Sequence, residues 1–127
     1  MTRKRQMLLD IISASSTPLN AQQVVDQTQG IVDQATVYRG LKYLEENNMI
    51  TSFVFDCDDR GVERYYNVSG KSSHHHYMHC EGCHQFFPFS HCIGTEVLGE
   101  IQKESGFQVT EHYLTLKGYC KECQLHG

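Results

Sequence analysis

Apolar side chains recur at helical spacing near the start of the chain. Residues 3–14 place Met, Leu and Ile side chains on one face, which predicts an amphipathic helix. Pro18 ends this pattern. Asn20 and Gln23 then stand three residues apart, as in a capping box, and predict a second short helix over about 20–28.

A third helix is predicted from Gln34 to about Asn47. Asp33 is a suitable N-cap, and a pair of Asn residues at 47 and 48 is a plausible stop. Three short helices with a tight break between the second and third are typical of a helix-turn-helix. The side chains expected on the inner face of the third helix are Val37, Leu41 and Leu44.

The pattern then changes to runs of β-forming residues. Residues 50–55 and 62–68 read as two strands, and the polar segment 56–61 reads as the turn between them. They predict a hairpin, or wing, beside the third helix. The small polar residues 69–73 predict a linker between two domains.

A second unit follows this linker. Strands are predicted over 74–80, 86–89 and 107–116, with a helix over 93–105 that ends at Gly106. The expected fold class is α+β, a winged helix-turn-helix domain followed by a small α/β domain with a four-cysteine site. The predicted boundaries are a first domain at 1–68, a hinge at 69–73 and a second domain at 74–127.

Charge places any nucleic-acid surface in the first half. The 127 residues carry a net charge of −4, and the acidic excess lies beyond residue 50. The neutral first half begins with the basic tip Arg3, Lys4 and Arg5. No apolar run reaches the roughly 18 residues of a membrane span, and the first residues lack the long apolar segment of a secretory signal, so we expect none. We therefore expect a cytoplasmic protein with no membrane partner.

Two Cys-x-x-Cys pairs carry the strongest chemical signal. Cys80 with Cys83, and Cys120 with Cys123, can each direct two thiolates at one ion. Two such pairs complete a tetrahedral four-thiolate zinc site. Disulfides or a thioredoxin-like redox pair are the alternatives, and reduced thiols in the cytosol favour the shared metal.

A histidine run suggests a second metal site. On a strand, His74 and His76 point to the same face, and His112 on a later strand could join them. Imidazoles in this arrangement can chelate one divalent ion. A solvated histidine-rich linker is the alternative, and His75 with His79 could form a further site on the opposite face.

The third helix has the side chains of a DNA-reading helix. Polar and cationic groups lie away from its apolar face, near the end that would enter the major groove. An exposed, merely solvated helix is the alternative, but the preceding helix, the wing and the basic tip favour DNA. The predicted DNA-binding residues are Arg3, Arg5, Thr36, Tyr38, Arg39 and Lys42.

Three segments together resemble the ferric-uptake-regulator family of bacterial metal-sensing repressors: DQATVYRGLKYLEENNMI, HHHYMHCEGC and GFQVTEHYLTLKGYCKEC. The resemblance implies that 1–68 is a winged-helix DNA-binding domain and 74–127 a metal-binding dimerisation domain. It implies a homodimer that binds a palindromic double-stranded operator when loaded with metal. It implies that the four cysteines hold structural Zn²⁺. It also implies that Tyr38 and Arg39 lie in the DNA-reading helix, and that His74, His76 and His112 bind the regulatory metal.

One departure from the family pattern bears on the metal. Thr95 stands where a glutamate often completes the regulatory site, so Cys92 is the expected fourth ligand, with His91 and Glu96 as alternatives. Imidazoles with a thiolate suit Zn²⁺ better than Fe²⁺. We therefore expect a zinc-uptake-type regulator, with Fe²⁺ or Mn²⁺ as the alternative regulatory ion.

The expected mechanism is a population shift. Metal bound near 69–76 favours a dimer whose two winged helices fit successive major grooves, roughly 34–36 Å apart. An iron- or peroxide-responsive repressor is the rival within the family. A zinc chaperone or buffer that never binds DNA is the rival of another class. Motifs of enzyme active sites are absent, so neither catalysis nor a small-molecule substrate is expected.

Overall fold

The computed structural model of the chain describes residues 1–68, 76–89, 94–110, 112 and 114–126. The chain divides into two compact units, Met1–Ser73 and His74–Gly127. Both contain helices and a sheet, so the predicted α+β class is confirmed. The elements of the described residues are, in chain order, α1 (Arg3–Ala14), β1 (Leu19–Asn20), α2 (Ala21–Gln27), α3 (Gln34–Glu46), β2 (Ile50–Cys57), β3 (Gly61–Val68), β4 (His76–Cys80), β5 (Phe86–Phe89), α4 (Thr95–Ser105), β6 (Thr115–Gly118) and α5 (Lys121–His126).

The three predicted helices of the first unit are present, and local capping explains where two of them begin. The Asn20 side chain accepts a hydrogen bond from the Gln23 N–H at 2.7 Å, and the Gln23 side chain accepts one from the Asn20 N–H at 2.8 Å. This reciprocal pair is the predicted capping box of α2. The Asp33 carboxylate accepts from the Thr36 N–H at 3.4 Å and caps α3.

A glycine lets α1 and α3 pack closely. The inner face of α3 is fully buried in one hydrophobic core with Leu8 and Ile12 of α1. On the same helix, a Cβ placed on Gly40 would lie 2.4 Å from the Leu8 Cδ1 atom. The absence of a side chain at Gly40 therefore leaves room for the buried Leu8 side chain. The buried inner-face residues of α3 are those predicted, Val37, Leu41 and Leu44.

We expect Gly40→Ala to destabilise the first unit by about 1–3 kcal/mol, because the added methyl group overpacks a buried contact. Gly99→Ala is the matched control. Gly99 lies inside α4 with open space around it, and alanine there should stabilise its helix by roughly 0.5–1 kcal/mol. Chemical denaturation of both variants measures the two effects. An unchanged unfolding midpoint for Gly40→Ala would contradict the packing argument.

The predicted wing is present, but its turn is tighter than predicted. β2 and β3 pair antiparallel from Ile50 opposite Val68 to Cys57 opposite Gly61, so the turn occupies only 58–60 rather than 56–61. Gly61, at φ +79°, permits the chain to reverse there. β1 adds to the other side of β3 and gives the order β1-β3-β2. Two residues are too few to show an alternating pattern, so β1 was not predicted.

The sheet of the second unit has the order β5-β4-β6. β4 pairs antiparallel with β5 and parallel with β6. A parallel neighbour needs a crossover connection, and α4 lies between these strands in the chain. α4 ends at Gly106 with φ +74°, as predicted for a helix C-terminus. No helix of the described residues is long and apolar enough to span a bilayer.

The predicted strand over 107–116 is mostly wrong. Among its described residues, only 115 and 116 are in a strand, and β6 continues to Gly118. The register explains the shift, because β6 pairs with residues 77–80 of the short strand β4. An alternating pattern indicates a strand only where a partner strand is available. The helix α5, which begins directly after Cys120 and contains Cys123, was also not predicted.

Candidate metal centres and DNA-binding surface

The two Cys-x-x-Cys pairs meet at one end of the second sheet. Cys80 ends β4 and Cys83 lies in the following turn, whereas Cys120 follows β6 and Cys123 lies in α5. β4 and β6 are parallel neighbours with Cys80 opposite Gly118, so both pairs leave the sheet at the same end. The four sulfur atoms lie within 4.8 Å of one another. This is the arrangement that four thiolates around one tetrahedral zinc require.

Backbone N–H groups surround the Cys80 sulfur. It accepts hydrogen bonds from the N–H groups of Cys120 and Gly82 at 3.3 Å and of Cys83 at 3.4 Å. These bonds, led by that of Cys120, lower the pKa of Cys80 to about 5. Contact with the Cys80 sulfur, and then with that of Cys120, raises the pKa of Cys123 to about 12. Four sulfur donors at this spacing, one of them surrounded by backbone N–H groups, make a donor set that fits Zn²⁺.

Gly82 leaves room for this cluster. A Cβ at Gly82 would lie 2.8 Å from the Cys123 sulfur and 3.0 Å from the Cys123 Cβ. The contact with the sulfur is shorter than folded proteins tolerate, and the contact with the Cβ is tight. The turn between Cys80 and Cys83 therefore needs glycine at this position if the second cysteine pair is to approach.

We expect Gly82→Ala to weaken zinc binding about tenfold or more, because the new methyl group displaces the Cys123 sulfur. Gly118→Ala is the matched control, since Gly118 is adjacent to the cluster in β6 and has open space where a Cβ would stand. Competition with a chromogenic chelator measures both affinities. Equal zinc retention by the two variants would count against a steric role for Gly82.

Two of the predicted regulatory histidines lie together. His76 is the first residue of β4 and is buried, and its ring centroid lies 5.3 Å from that of the half-buried His112. The Phe89 ring, opposite on β5, lies 5.7 Å from the His76 ring and closes one side of the pair. The pair thus offers imidazole nitrogens at the edge of an apolar environment.

The remaining regulatory ligands are not placed by the structure. His74, His91 and Cys92 lie outside the described residues. Glu96 is described and exposed in the first turn of α4. In the described part of the chain, no third His, Cys or carboxylate joins His76 and His112 in a close group of metal donors. The third and fourth ligands therefore stay predictions.

The basic tip and the third helix form one surface of the first unit. A groove of about 400 Å³ lies between the N-terminal ends of α1 and α3. Its lining includes four cationic residues and two threonines: Arg3, Lys4, Arg5, Arg39, Thr2 and Thr36. Four cationic residues gathered in one region of the surface can pair with the phosphates of a nucleic acid.

A short hydrogen-bonded chain orients Arg39 on this surface. The Arg39 Nη2 donates to the Thr36 Oγ1 at 3.1 Å, and the Thr36 hydroxyl donates to the Asp33 carboxylate. The hydrogen bond from the Thr36 side chain is the main reason why the pKa of Asp33 is lowered. Asp33, which caps α3, therefore also orients Arg39 of the same helix through Thr36.

The other predicted DNA-binding residues of the helices differ in their surroundings. Tyr38 is exposed beyond the groove. Lys42 is also exposed, and its Nζ lies 3.9 Å from the Glu46 carboxylate, a weak surface pair. Arg5 stacks its guanidinium 3.8 Å above the Tyr43 ring centroid. The Tyr43 ring is itself partly buried against the hydrophobic core.

This geometry agrees with the comparison against known protein families. The model of the ferric uptake regulator family matches residues 1–117. The chain belongs to the ferric uptake regulator family.

Relatives and solved structures of this family extend over most of the chain. The ferric uptake regulation protein of Campylobacter jejuni is 32% identical over an alignment of 127 positions. The alignment covers 96% of this chain and 78% of that protein. The Helicobacter pylori ferric uptake regulator has a TM-score of 0.78 at 24% identity, with 98% of this chain and 81% of that chain covered. The iron-containing Francisella tularensis regulator has a TM-score of 0.76 at 25% identity, with coverages of 98% and 93%. The chain is a metal-responsive regulator of the ferric uptake regulator type.

Sequence reasoning about this family member missed three functional features. Gly82 is marked only by its position inside a Cys-x-x-Cys pair, and its steric role needs the distant Cys123. The Thr36 link to Arg39 follows from their spacing of three residues on a helix, so that signal was available. The hydrogen-bond contact between the His79 imidazole and the Glu81 carboxylate, at 2.7 Å, was not predicted.

Proposed function

We propose that this chain is a zinc-responsive transcriptional repressor that binds operator DNA as a homodimer and controls metal-uptake genes. The observation that carries the proposal is the pairing of His76 with His112, whose ring centroids are 5.3 Å apart. Two imidazoles brought together from β4 and from the segment before β6 support a metal-binding role, because apolar residues would fill this place at lower desolvation cost.

The donor set favours zinc. In the described part of the chain, no carboxylate is grouped with the two imidazoles, whereas iron(II) and manganese(II) sites rely more on carboxylate oxygen. The proposed further ligands are His74 and Cys92. With these, the site has nitrogen and sulfur donors only, a combination typical of Zn²⁺.

Iron is the second candidate for the regulatory metal. It is favoured by the 32% identical relative from Campylobacter jejuni, which is named a ferric uptake regulation protein. An iron-sensing site would draw its oxygen donor from Glu96. The two candidates therefore differ in a single ligand, Cys92 or Glu96.

The four-cysteine cluster has the structural role in this proposal. One Zn²⁺ held by Cys80, Cys83, Cys120 and Cys123 joins the ends of β4 and β6 to α5 and supports the second unit. The ion at the histidine site is the exchangeable one. Its binding favours the dimer population in which both DNA-binding units fit the operator.

DNA contact is assigned to the cationic groove and the exposed face of α3. The groove places three cations of the chain start beside Arg39. Arg39 is oriented through Thr36 and is the proposed base-reading residue, with Tyr38 beside it. Arg3 and Arg5 would hold phosphates and fix the helix in the groove.

The decisive experiment measures operator binding at buffered free concentrations of Zn²⁺, Fe²⁺ and Mn²⁺, with iron kept under anaerobic conditions. We expect zinc to raise operator affinity at the lowest free concentration. Activation by iron at physiological concentrations with no response to zinc would select the iron candidate. Operator binding with no dependence on any of the three metals would overturn the proposal altogether.

We expect Arg39→Ala to weaken operator binding by about 1–3 kcal/mol if its guanidinium contacts a base in a bidentate manner. The loss should then be larger on operator than on unrelated DNA. Lys103→Ala, which removes an exposed cation from α4, is the matched control and should leave binding unchanged. Equal losses on both DNAs, with a smaller salt dependence, would place Arg39 on phosphate instead.

A further inference from the structure

Two histidines flank the first cysteine pair, and their side chains face each other. His79 precedes Cys80 in β4, and His84 follows Cys83. Their ring centroids are 5.8 Å apart, and donor nitrogens of the two rings lie within 4.8 Å of one another. The His84 N–H donates to the Cys80 carbonyl at 2.8 Å, so the turn that directs the cysteines also brings the two imidazoles together.

A carboxylate orients one of these imidazoles. The His79 Nδ1 lies 2.7 Å from the Glu81 Oε1, and the side chains are 1% and 9% exposed, respectively. When Nδ1 donates to this carboxylate, Nε2 carries the lone pair that can bind a metal. Metal-binding histidines are commonly held by a carboxylate on the second nitrogen in this way. The pair therefore resembles a preorganised ligand.

The backbone at His84 supplies an independent argument. His84 has φ +61°, in the left-handed region that glycine adopts freely and other residues adopt at a cost. Packing accounts for His79, whose ring centroid lies 4.7 Å from that of Phe86. Packing does not explain why position 84 is histidine, because His84 is only half-buried and its backbone conformation favours glycine. Strained conformations of this kind concentrate at functional sites.

We propose that His79 and His84 bind a divalent transition-metal ion, Zn²⁺ or a close analogue, with Glu81 as the carboxylate that orients His79. This site is separate from the four-sulfur cluster, because its donors are nitrogens on the flanking residues. It is also distinct from the proposed regulatory site at His76 and His112. Solvent reaches it from the half-buried His84, and two protein ligands predict weaker binding than four thiolates provide.

The test is the number of zinc ions per chain, measured by equilibrium dialysis of the full chain against buffered free Zn²⁺ with metal analysis. His84→Gly removes the ligand and suits the left-handed backbone, so this variant should fold at least as well as the parent. We expect it to bind one zinc fewer per chain at micromolar free zinc. Gln29→Gly is the matched control, because Gln29 is exposed at φ +54° and offers no imidazole.

Two further variants make the outcome specific. Glu81→Gln should weaken the same binding step about tenfold or more without removing it. His112→Ala should leave zinc binding at His79 and His84 unchanged. The test therefore distinguishes loss of the proposed regulatory site from loss of the His79–His84 site. In histidine NMR spectra, the ring signals of His79 and His84 should shift together on zinc addition. An unchanged zinc count in His84→Gly, or shifts that require millimolar zinc, would overturn the proposal.

Discussion

A Cys83→Ser variant is expected to lose the structural zinc and most of the folded second unit. A serine hydroxyl does not ionise near neutral pH, so the site would keep three thiol donors around an ion that needs four. Structural zinc contributes about 10–16 kcal/mol to the folding of small zinc domains. The apolar core cannot replace that contribution. In the described part of the second unit, the buried hydrophobic residues are Tyr77, Cys80 and Phe86.

Zinc content by metal analysis and thermal unfolding of the second unit measure this effect. The first unit should remain folded, because its core of buried helix and strand residues contains no thiolate cluster. Lys121→Ala is the control, since it changes an exposed residue between Cys120 and Cys123 and leaves every sulfur in place. A Cys83→Ser protein with full zinc content and an intact dimer would refute the structural role of the cluster.

A His112→Ala variant is expected to lose the zinc-stimulated increase in operator affinity. His112 is half-buried, so alanine disturbs packing less there than at the buried His76. Couplings between an effector site and a DNA site typically amount to 5–150-fold in affinity, and about this factor should disappear. The four-cysteine zinc and the dimer should persist. Operator binding with and without buffered zinc, together with sedimentation, measures these properties.

The fourth ligand decides between zinc and iron. If the site has sulfur, Cys92→Ser should reduce the zinc response more than Glu96→Gln does. If Glu96→Gln is the more damaging change, the site has a carboxylate and the argument for zinc over iron loses its main support. If neither change has an effect, His91→Ala becomes the informative variant. A full zinc response in His112→Ala would remove the proposed regulatory site itself.

The amino-acid sequence by itself determined the features that depend on neighbours within a few residues. Asn20 with Gln23 and Asp33 with Thr36 cap their helices through bonds across three residues, so α2 and α3 begin where the pattern predicts. The apolar spacing of α3 likewise identifies its buried face. Such signals are readable because propensity, capping and side-chain periodicity are local properties.

Only the tertiary structure decided the features that join distant segments. The parallel pairing of β4 with β6 places two cysteine pairs, separated by 37 residues, at one end of a sheet. It also limits β6 to Thr115–Gly118, although the alternating pattern begins at 107. Gly40 of α3 accommodates the Leu8 side chain of α1, and both residues line the groove between the two helices. Register and close approach depend on the partner segment, and a partner's position is not encoded in local periodicity.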